Sequence, residues 1–183
     1  MRLYRQTVAD FGLYAGMERD ESEFARLKNA AGEMSAKMQA VRIVAASGVS
    51  KGDLERRLIQ KGEDPLQAKN AVAWMSEMSL VDDRETARQV VARCVSKGYG
   101  LSRAKQALFE KRIPKQYWDE VLADYPDQID KIMDYLDSHL GDSPDQKTMK
   151  RAIDALLRRG HSYRNIRRAM HELAMNPEKF PED

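Results

Sequence analysis

The sequence predicts an all-α protein: an elongated, curved array of three tandem three-helix repeats, preceded by a short N-terminal extension. Three observations indicate this fold. The composition favours helix, because 42% of the 183 residues are hydrophobic and 33% are charged, with only 10 glycines and 6 prolines. The chain contains three segments that align with one another without gaps. Helix-capping signals mark the breaks between the predicted helices.

The aligned segments are residues 54–62, 104–112 and 152–160. Each has small or apolar residues at its first and fifth positions, an apolar residue at the sixth and a basic residue at the eighth. The register continues beyond each segment with an i, i+3, i+4 pattern, which is typical of one face of a second helix. Leu58, Leu108 and Leu156 are equivalent in this register, so we expect all three to be buried.

The breaks between the paired helices have recognisable capping chemistry. Ser-Lys-Gly-Asp at residues 50–53 predicts a capping arrangement before the first segment. Gly62 predicts the left-handed end of one helix, and Asp64 followed by Pro65 predicts the N-cap and first residue of the next. Gly160 repeats this pattern in the third segment, whereas Arg112 takes the glycine position in the second. Each repeat therefore contains a tight turn between two helices.

A helix before each segment completes each repeat. The predicted apolar stripe of the first such helix consists of Met38, Val41, Val44 and Ala45. The predicted divisions are an N-terminal extension at 1–33, repeats at 34–79, 80–126 and 127–174, and a C-terminal tail at 175–183. Within the extension, residues 8–16 contain glycines among apolar residues and are predicted to form a short strand or a loop.

The sequence predicts a protein that is not an enzyme and has no cofactor or metal. Asp82 and Asp83 could hold a metal ion with Glu85, but an Asp pair before an apolar stripe is more simply a helix N-cap with a charged first turn. The three histidines lack metal-ligand spacing. Cys94 lies in an apolar stripe and is predicted to be a core residue.

The expected location is the cytoplasm. A single cysteine cannot form a disulfide within the chain, which favours a reducing compartment. The N-terminus has no signal-peptide pattern, and no apolar stretch is long enough to span a membrane.

Positive charge is concentrated in two regions, although the formal net charge is only +2. Residues 144–174 carry eight Lys or Arg against three acidic residues, and residues 97–105 form a basic glycine turn with a tyrosine. The candidate partner-binding residues are Lys97, Tyr99, Arg103, Lys105, Lys147, Lys150, Arg151, Arg158, Arg159, Arg164, Arg167 and Arg168. Such density indicates an anionic partner, either nucleic acid or an acidic protein groove, although a solvated helix face and a packed glycine turn are the simpler interpretations.

The order of several motifs resembles the RecX family of recombinase regulators. The motifs are Leu-Val-Asp-Asp at 80–83, Lys-Gly-Tyr-Gly at 97–100, Lys-Arg-Ile at 111–113 and Leu-Leu-Arg-Arg-Gly-His-Ser-Tyr at 156–163. Arg112 departs from the pattern, because the family often has Gly there. The resemblance implies a helical three-unit protein that binds the RecA filament on single-stranded DNA and inhibits RecA without a catalytic residue.

Two other functions stay open at the level of the sequence. One is a direct DNA-binding module of helix-turn-helix type, which the glycine turn at 98–100 also fits. A sequence-specific reader would need a helix rich in groove-facing Asn, Gln and Arg, and residues 101–111 offer only Arg103, Lys105 and Gln106. The other is a general interaction scaffold. For the filament regulator, we expect a monomer whose two basic regions line one concave surface, with the acidic segment 127–143 turned away.

Overall fold

The structure is a computed structural model that describes residues 3–141 and 144–174. Within these ranges all regular structure is helical, which confirms the predicted all-α class. The helices are α1 (Arg5–Asp10), α2 (Glu21–Ala46), α3 (Lys51–Gln60), α4 (Pro65–Glu77), α5 (Asp83–Ser96), α6 (Leu101–Glu110), α7 (Trp118–Leu122), α8 (Ile129–Leu140), α9 (Gln146–Arg158) and α10 (Tyr163–Ala174), with a 3-10 turn at Lys115–Tyr117. The chain forms two compact units, which divide between Thr86 and Ala87 inside α5.

In the first unit, α2, α3 and α4 pack around one hydrophobic core. The predicted apolar stripe of α2 is wrong in part: Met38 and Val41 are each more than a third exposed, whereas Val44 packs against the core. The residues of α2 that are buried are Leu27, Ala31, Ala36, Ala40 and Ile43. The physical reason is close approach: α2 packs mainly on α4, whose Ala68 and Ala71 are also buried, and alanine faces let two helices lie close together.

The N-terminal extension differs from the prediction. Residues 5–10 form the short helix α1 where a strand or loop was expected from residue 8 onward, and a turn at Gly12 with a φ of +56° follows it. Helix α2 is then capped by Asp20, whose side chain accepts a hydrogen bond from the backbone N–H of Glu23 at 2.8 Å. Because α2 continues unbroken to Ala46, the predicted division at 33/34 falls inside a helix. The tail at 175–183 lies outside the described residues.

Three helix pairs correspond to the aligned segments: α3 with α4, α6 with the 3-10 turn and α7, and α9 with α10. The equivalent leucines, which are Leu58, Leu108 and Leu156, are all 0% exposed. The backbone is left-handed at the equivalent turn position of each pair, with φ of +91° at Gly62, +53° at Arg112 and +86° at Gly160. These observations agree with the three-repeat division, which stays a prediction.

The predicted caps are present at the helix starts. The Ser50 hydroxyl accepts from the backbone N–H of Asp53, and the Asp64 carboxylate accepts from that of Leu66. Asp82 accepts from the N–H of Arg84 at 2.8 Å, which supports the N-cap interpretation of the Asp pair. Within the described ranges no group of three or more His, Cys, Asp or Glu side chains could hold a metal ion.

Asp83 has a second role that the sequence analysis did not anticipate. Its side chain is only 6% exposed, and its carboxylate accepts a hydrogen bond from the backbone N–H of Lys51 at 2.7 Å. Lys51 is the first residue of α3, whose first N–H groups have no partner within the helix. Asp83 therefore joins the start of α5 to the start of α3.

The second unit contains two apolar clusters. One lies between α8, α9 and α10, and the other lies where α5 meets α6 and the α7 segment. Cys94 is 6% exposed, in agreement with a core position, and burial raises the pKa of its thiol. The hydroxyl of Tyr125, which follows α7, donates a hydrogen bond to the carbonyl of Tyr99, which follows α5, at 2.5 Å. Burial raises the pKa of Tyr125 to about 12. None of the helices described is long and apolar enough to cross a membrane.

Candidate binding surface

Two glycine turns of the second unit lie against each other. One follows α5 at residues 97–100, and the other joins α9 to α10 at residues 159–162. The backbone N–H of Gly100 donates to the carbonyl of Arg159 at 3.0 Å, and that of Ser102 donates to the carbonyl of Gly160 at 3.2 Å. Residues of both predicted basic regions therefore meet at this junction.

Both glycines are required at this turn junction. A Cβ on Gly100 would overlap the backbone of Gly160 and of His161, and a Cβ on Gly160 would overlap the backbone of Arg103. Gly160 also has a left-handed backbone, which favours glycine by itself. Gly100 has an ordinary φ of −76°, so its requirement comes only from the close contact between the two turns.

His161 is a buried residue of the turn between α9 and α10. It is 5% exposed, and burial lowers the pKa of its imidazole, which the charge of Arg159 also lowers and a hydrogen bond with the backbone of Gly98 opposes. Its Nδ1 atom is buried and has no hydrogen-bond partner among the described residues. The buried imidazole therefore links the turn between α9 and α10 to the backbone of Gly98 in the other turn.

A cationic cavity of about 330 Å³ opens at this junction, and we call it the turn cavity. It is lined by Tyr99, Arg103, Ala155, Arg158 and Arg159. The Arg103 guanidinium pairs with Glu110 at 3.0 Å, and the Arg159 guanidinium lies 4.6 Å from the centroid of the Tyr135 ring. The exposed side chain of Arg158 makes no ion pair or hydrogen bond within the described part of the chain. The cavity thus combines two held guanidinium groups with one that is free to move.

A second cationic cavity, of about 440 Å³, lies on the first turns of α10, and we call it the α10 cavity. It is lined by Tyr163, Arg164, Arg167 and Arg168. Tyr163, which was not among the predicted site residues, is 59% exposed. The α10 cavity therefore repeats the composition of the turn cavity, one tyrosine with three arginines.

The acidic segment is not wholly turned away from this basic helix, so that part of the prediction is wrong. Asp127, its first residue, pairs with Arg168 at 3.2 Å, and its carbonyl accepts from the Asn165 side chain at 3.1 Å. Arg168 also pairs with Glu172 at 2.8 Å. The reason is that α8 and α10 pack together, which brings the residue before α8 against α10. Arg168 is therefore partly neutralised, whereas Arg164 and Arg167 are exposed and make no ion pair with another described residue.

The other predicted site residues lie outside both cavities. Lys97 and Lys105 are exposed at the end of α5 and on α6. Lys147, Lys150 and Arg151 are exposed on the first half of α9. They contribute positive potential to the second unit but do not line the turn cavity or the α10 cavity.

The second unit also exposes apolar residues at the sixth position of the aligned segments. Phe109 is 71% exposed and Leu157 is 43% exposed, although each directly follows a fully buried leucine. Consecutive residues of a helix point about 100° apart, so the sixth position of the aligned segments cannot share the buried face of the fifth. That spacing is the signal by which these surface residues could have been found.

The fold and these cavities define an all-helical protein of short helix pairs that presents a basic, aromatic-bearing surface. No protein-family model matches the chain. It is 31% identical over 136 residues to the regulatory protein RecX of Chlorobaculum tepidum, an alignment that covers 73% of this chain and 84% of that protein. The chain belongs to the RecX family, which confirms the resemblance inferred from its motifs. It is also 25% identical to the regulatory protein RecX of Vibrio parahaemolyticus over 146 residues, 78% of this chain and 94% of that protein.

Solved structures agree with this fold. A crystal structure of regulatory protein RecX superposes with a TM-score of 0.70 at 16% identity, covering 92% of this chain and 86% of that one. The crystal structure of RecX from Lactobacillus salivarius gives a TM-score of 0.65 at 18% identity, covering 80% of this chain and 99% of that one. At these identities the likeness concerns the fold.

Proposed function

We propose that this RecX-family regulator binds the RecA filament on single-stranded DNA in the cytoplasm and inhibits RecA. Membership in the family supports a regulatory role. The observation that carries the finer proposal is the surface of the second unit, where exposed arginines without partners lie beside exposed apolar side chains. At the end of α9, Leu157 is 43% exposed and is followed by the unpaired Arg158. Arginine and aromatic residues contribute most to protein interfaces, and Phe109 of α6, also in the second unit, is 71% exposed.

The proposed interactions between this protein and the RecA filament are of two kinds, direct hydrogen bonds and long-range electrostatic attraction. The turn cavity and the α10 cavity supply guanidinium groups for direct hydrogen bonds to anionic groups of the filament. The separate bases Lys97, Lys105, Lys147, Lys150 and Arg151 raise the association rate through their charge and make it sensitive to salt. The protein acts as a monomer by occupation of RecA or its filament, and no cofactor or metal takes part.

The alternative is a helix-turn-helix module that reads DNA directly. Its recognition helix would be α6, which follows the glycine turn and would enter a major groove with its N-terminal residues. In this chain the first residues of α6 pack against Gly160, and Arg103 is held by Glu110. That packing leaves less of α6 free to enter a groove and favours the filament regulator.

The test is inhibition of the single-stranded DNA-dependent ATPase of RecA by purified protein. We expect the double variant Arg158→Glu/Arg167→Glu to need roughly tenfold more protein for half-inhibition, because each reversal replaces attraction by repulsion; tenfold corresponds to about 1.4 kcal/mol. Arg168 is left unchanged because its pairs with Asp127 and Glu172 are part of the fold.

The matched control is Arg26→Glu/Lys69→Glu, which reverses two exposed charges of the first unit. It should inhibit like the wild type, and thermal melts should show that both variants are folded. If the wild-type protein does not inhibit RecA, the proposed function is wrong. If the Arg158/Arg167 variant inhibits at wild-type concentrations, the chosen surface is wrong.

A further inference from the structure

We propose that the second unit of this protein binds single-stranded nucleic acid in the absence of RecA. A backbone phosphate lies in the turn cavity, and a base stacks on Tyr163 in the α10 cavity. This inference goes beyond the proposed function, because it requires no RecA. It rests on the composition, pairing and exposure of the two cavities.

The turn cavity suits a phosphate better than a carboxylate. Its three guanidinium groups come from α6, from the last residue of α9 and from the turn that follows. A planar carboxylate is matched by the single fork of one arginine, whereas the oxygens of a phosphate can accept hydrogen bonds from several directions. Among the described residues one carboxylate, that of Glu110, pairs with any of the three arginines, so the cavity keeps an excess of positive charge.

The cavity is also partly preorganised. Arg159 is held over the Tyr135 ring, which in turn stacks on His139 with ring centroids 3.9 Å apart. Arg103 is held by Glu110, so ordering of side chains on binding falls mainly on Arg158. Fixing guanidinium groups in advance reduces the entropy lost when an anion binds.

The α10 cavity adds a surface for a base. Tyr163 is 59% exposed, and its ring lies beside the arginines of α10. Single-strand binding proteins combine this arrangement of aromatic rings and basic groups, because any base can stack on a ring while the phosphates meet arginines. A base paired within a duplex offers no free face, so the geometry favours a single strand.

The two cavities are close enough for one strand to reach both. Arg159 and Tyr163 lie at the two ends of the same turn, four residues apart. Four residues span at most about 14 Å. A strand of a few nucleotides can therefore place a phosphate in the turn cavity and a base on Tyr163 at the same time.

The first measurement is the fluorescence anisotropy of a labelled 12-nucleotide oligo-dT titrated with the 183-residue chain at low salt, without RecA. We expect the Tyr163→Ala variant to bind roughly 5- to 150-fold more weakly, which is the loss typical of one stacked base. Tyr163→Phe keeps the ring and should restore most of the affinity. Tyr14→Ala is the matched control, because Tyr14 is a similarly exposed tyrosine, at 69%, in the first unit.

The second measurement is the salt dependence of the same binding. Each phosphate contact to a single strand contributes about 0.7 to the slope of log K against log salt concentration. We expect the slope of Arg158→Gln to be smaller by about that amount, and Arg26→Gln, which removes an exposed charge from the first unit, to keep the wild-type slope.

Three outcomes would overturn the inference: no oligo-dT binding by wild-type protein at low salt, equal affinities for Tyr163→Ala and Tyr14→Ala, or an unchanged slope for Arg158→Gln. A fourth is tighter binding of a 12-base-pair duplex than of the single strand. If the Arg158/Arg167 reversal abolishes RecA inhibition while oligo-dT binding is unaffected by Tyr163→Ala and Arg158→Gln, the cavities contact acidic groups of a protein. In that case the proposed function stands and this inference is wrong.

Discussion

At the end of α9, neighbouring residues face different parts of the molecule. Leu156 is fully buried, Leu157 is 43% exposed, and Arg158 lines the turn cavity. Gly160 and His161 then form the contact with the other glycine turn. A surface substitution at residue 157 or 158 should therefore change binding without changing the core, whereas one at residue 160 or 161 should change the turn junction itself.

His161 should make the protein less stable in mild acid. Burial lowers the pKa of His161 in the folded protein below its value of about 6.5 in the unfolded chain, so the unfolded chain takes up its proton first. The contribution of the neutral imidazole is present above pH 6.5 and is lost as the pH falls through 6.5 toward the folded-state pKa. Between the folded-state pKa and pH 6.5, the free energy of unfolding falls by up to about 1.4 kcal/mol for each pH unit of acidification.

The measurement is the urea midpoint of unfolding between pH 7.5 and pH 5. We expect His161→Gln to be less stable than the wild type at pH 7.5 but to lose less stability on acidification. His171→Gln, which changes an exposed histidine of α10, should keep the wild-type acid sensitivity. A His161→Gln variant with the same acid sensitivity as the wild type would show that His161 is not the titrating group.

At the scale of the helices, local chemistry explains where four of the helices begin. Asp20, Ser50, Asp64 and Asp145 all accept backbone N–H groups at the starts of their helices. Capping involves residues within three positions of one another, so it can be recognised from sequence. Asp83 is different, because it caps α3 from 32 residues away.

Replacing Asp83 should therefore cost more than replacing its neighbour. Asp82→Ala removes an exposed N-cap and should lower the free energy of unfolding by about 0.5–2 kcal/mol. Asp83→Ala removes a buried, charge-assisted hydrogen bond between two helices, and about 1.5–3 kcal/mol is expected. Urea unfolding of the two variants measures the difference.

The conservative variant Asp83→Asn separates the hydrogen bond from the volume of the side chain. Its amide oxygen can still accept from the N–H of Lys51, so it should recover part of the stability. An Asp83→Ala variant as stable as Asp82→Ala would contradict the proposed link between α5 and α3.

The helices themselves could largely be predicted from the sequence, and one exception, the buried face of α2, has a clear physical cause. The buried leucines and the caps were identified because they depend on periodicity and on near neighbours. The buried face of α2 was misassigned because the stripe with larger side chains, including Met38 and Val41, was favoured over a face of alanines. Alanine carries little hydrophobic signal in a sequence, and its advantage appears only when a second helix lies close.

At the scale of the whole molecule, the chain forms two compact units that share α5 across the Thr86–Ala87 bond. The first unit has one core, formed by α2, α3 and α4, and the second contains two apolar clusters. All twelve predicted binding residues belong to the second unit. Variants in the first unit therefore serve as controls for charge and exposure in the experiments proposed here.

A regulator that acts only by occupying a site on RecA or its filament is predicted to turn over no substrate. We expect no ATPase, nuclease or protease activity above background, because binding to RecA or its filament requires no turnover by this chain. The measurement is an assay of each activity on the purified protein against a blank without protein. Turnover that disappears with a point substitution in this chain would overturn the prediction.

The sequence by itself determined the all-α class, the helix starts at Ser50 and Asp64, the three buried leucines and the resemblance to the RecX family. These features depend on composition, on spacing within a helix or on the order of motifs along the chain. Only the tertiary structure decided that Gly100 lies against Gly160 and that Tyr163 opens a second cavity. The physical reason is distance along the chain: 60 residues separate the two glycines, and their contact depends on how the intervening helices pack, which no local pattern records.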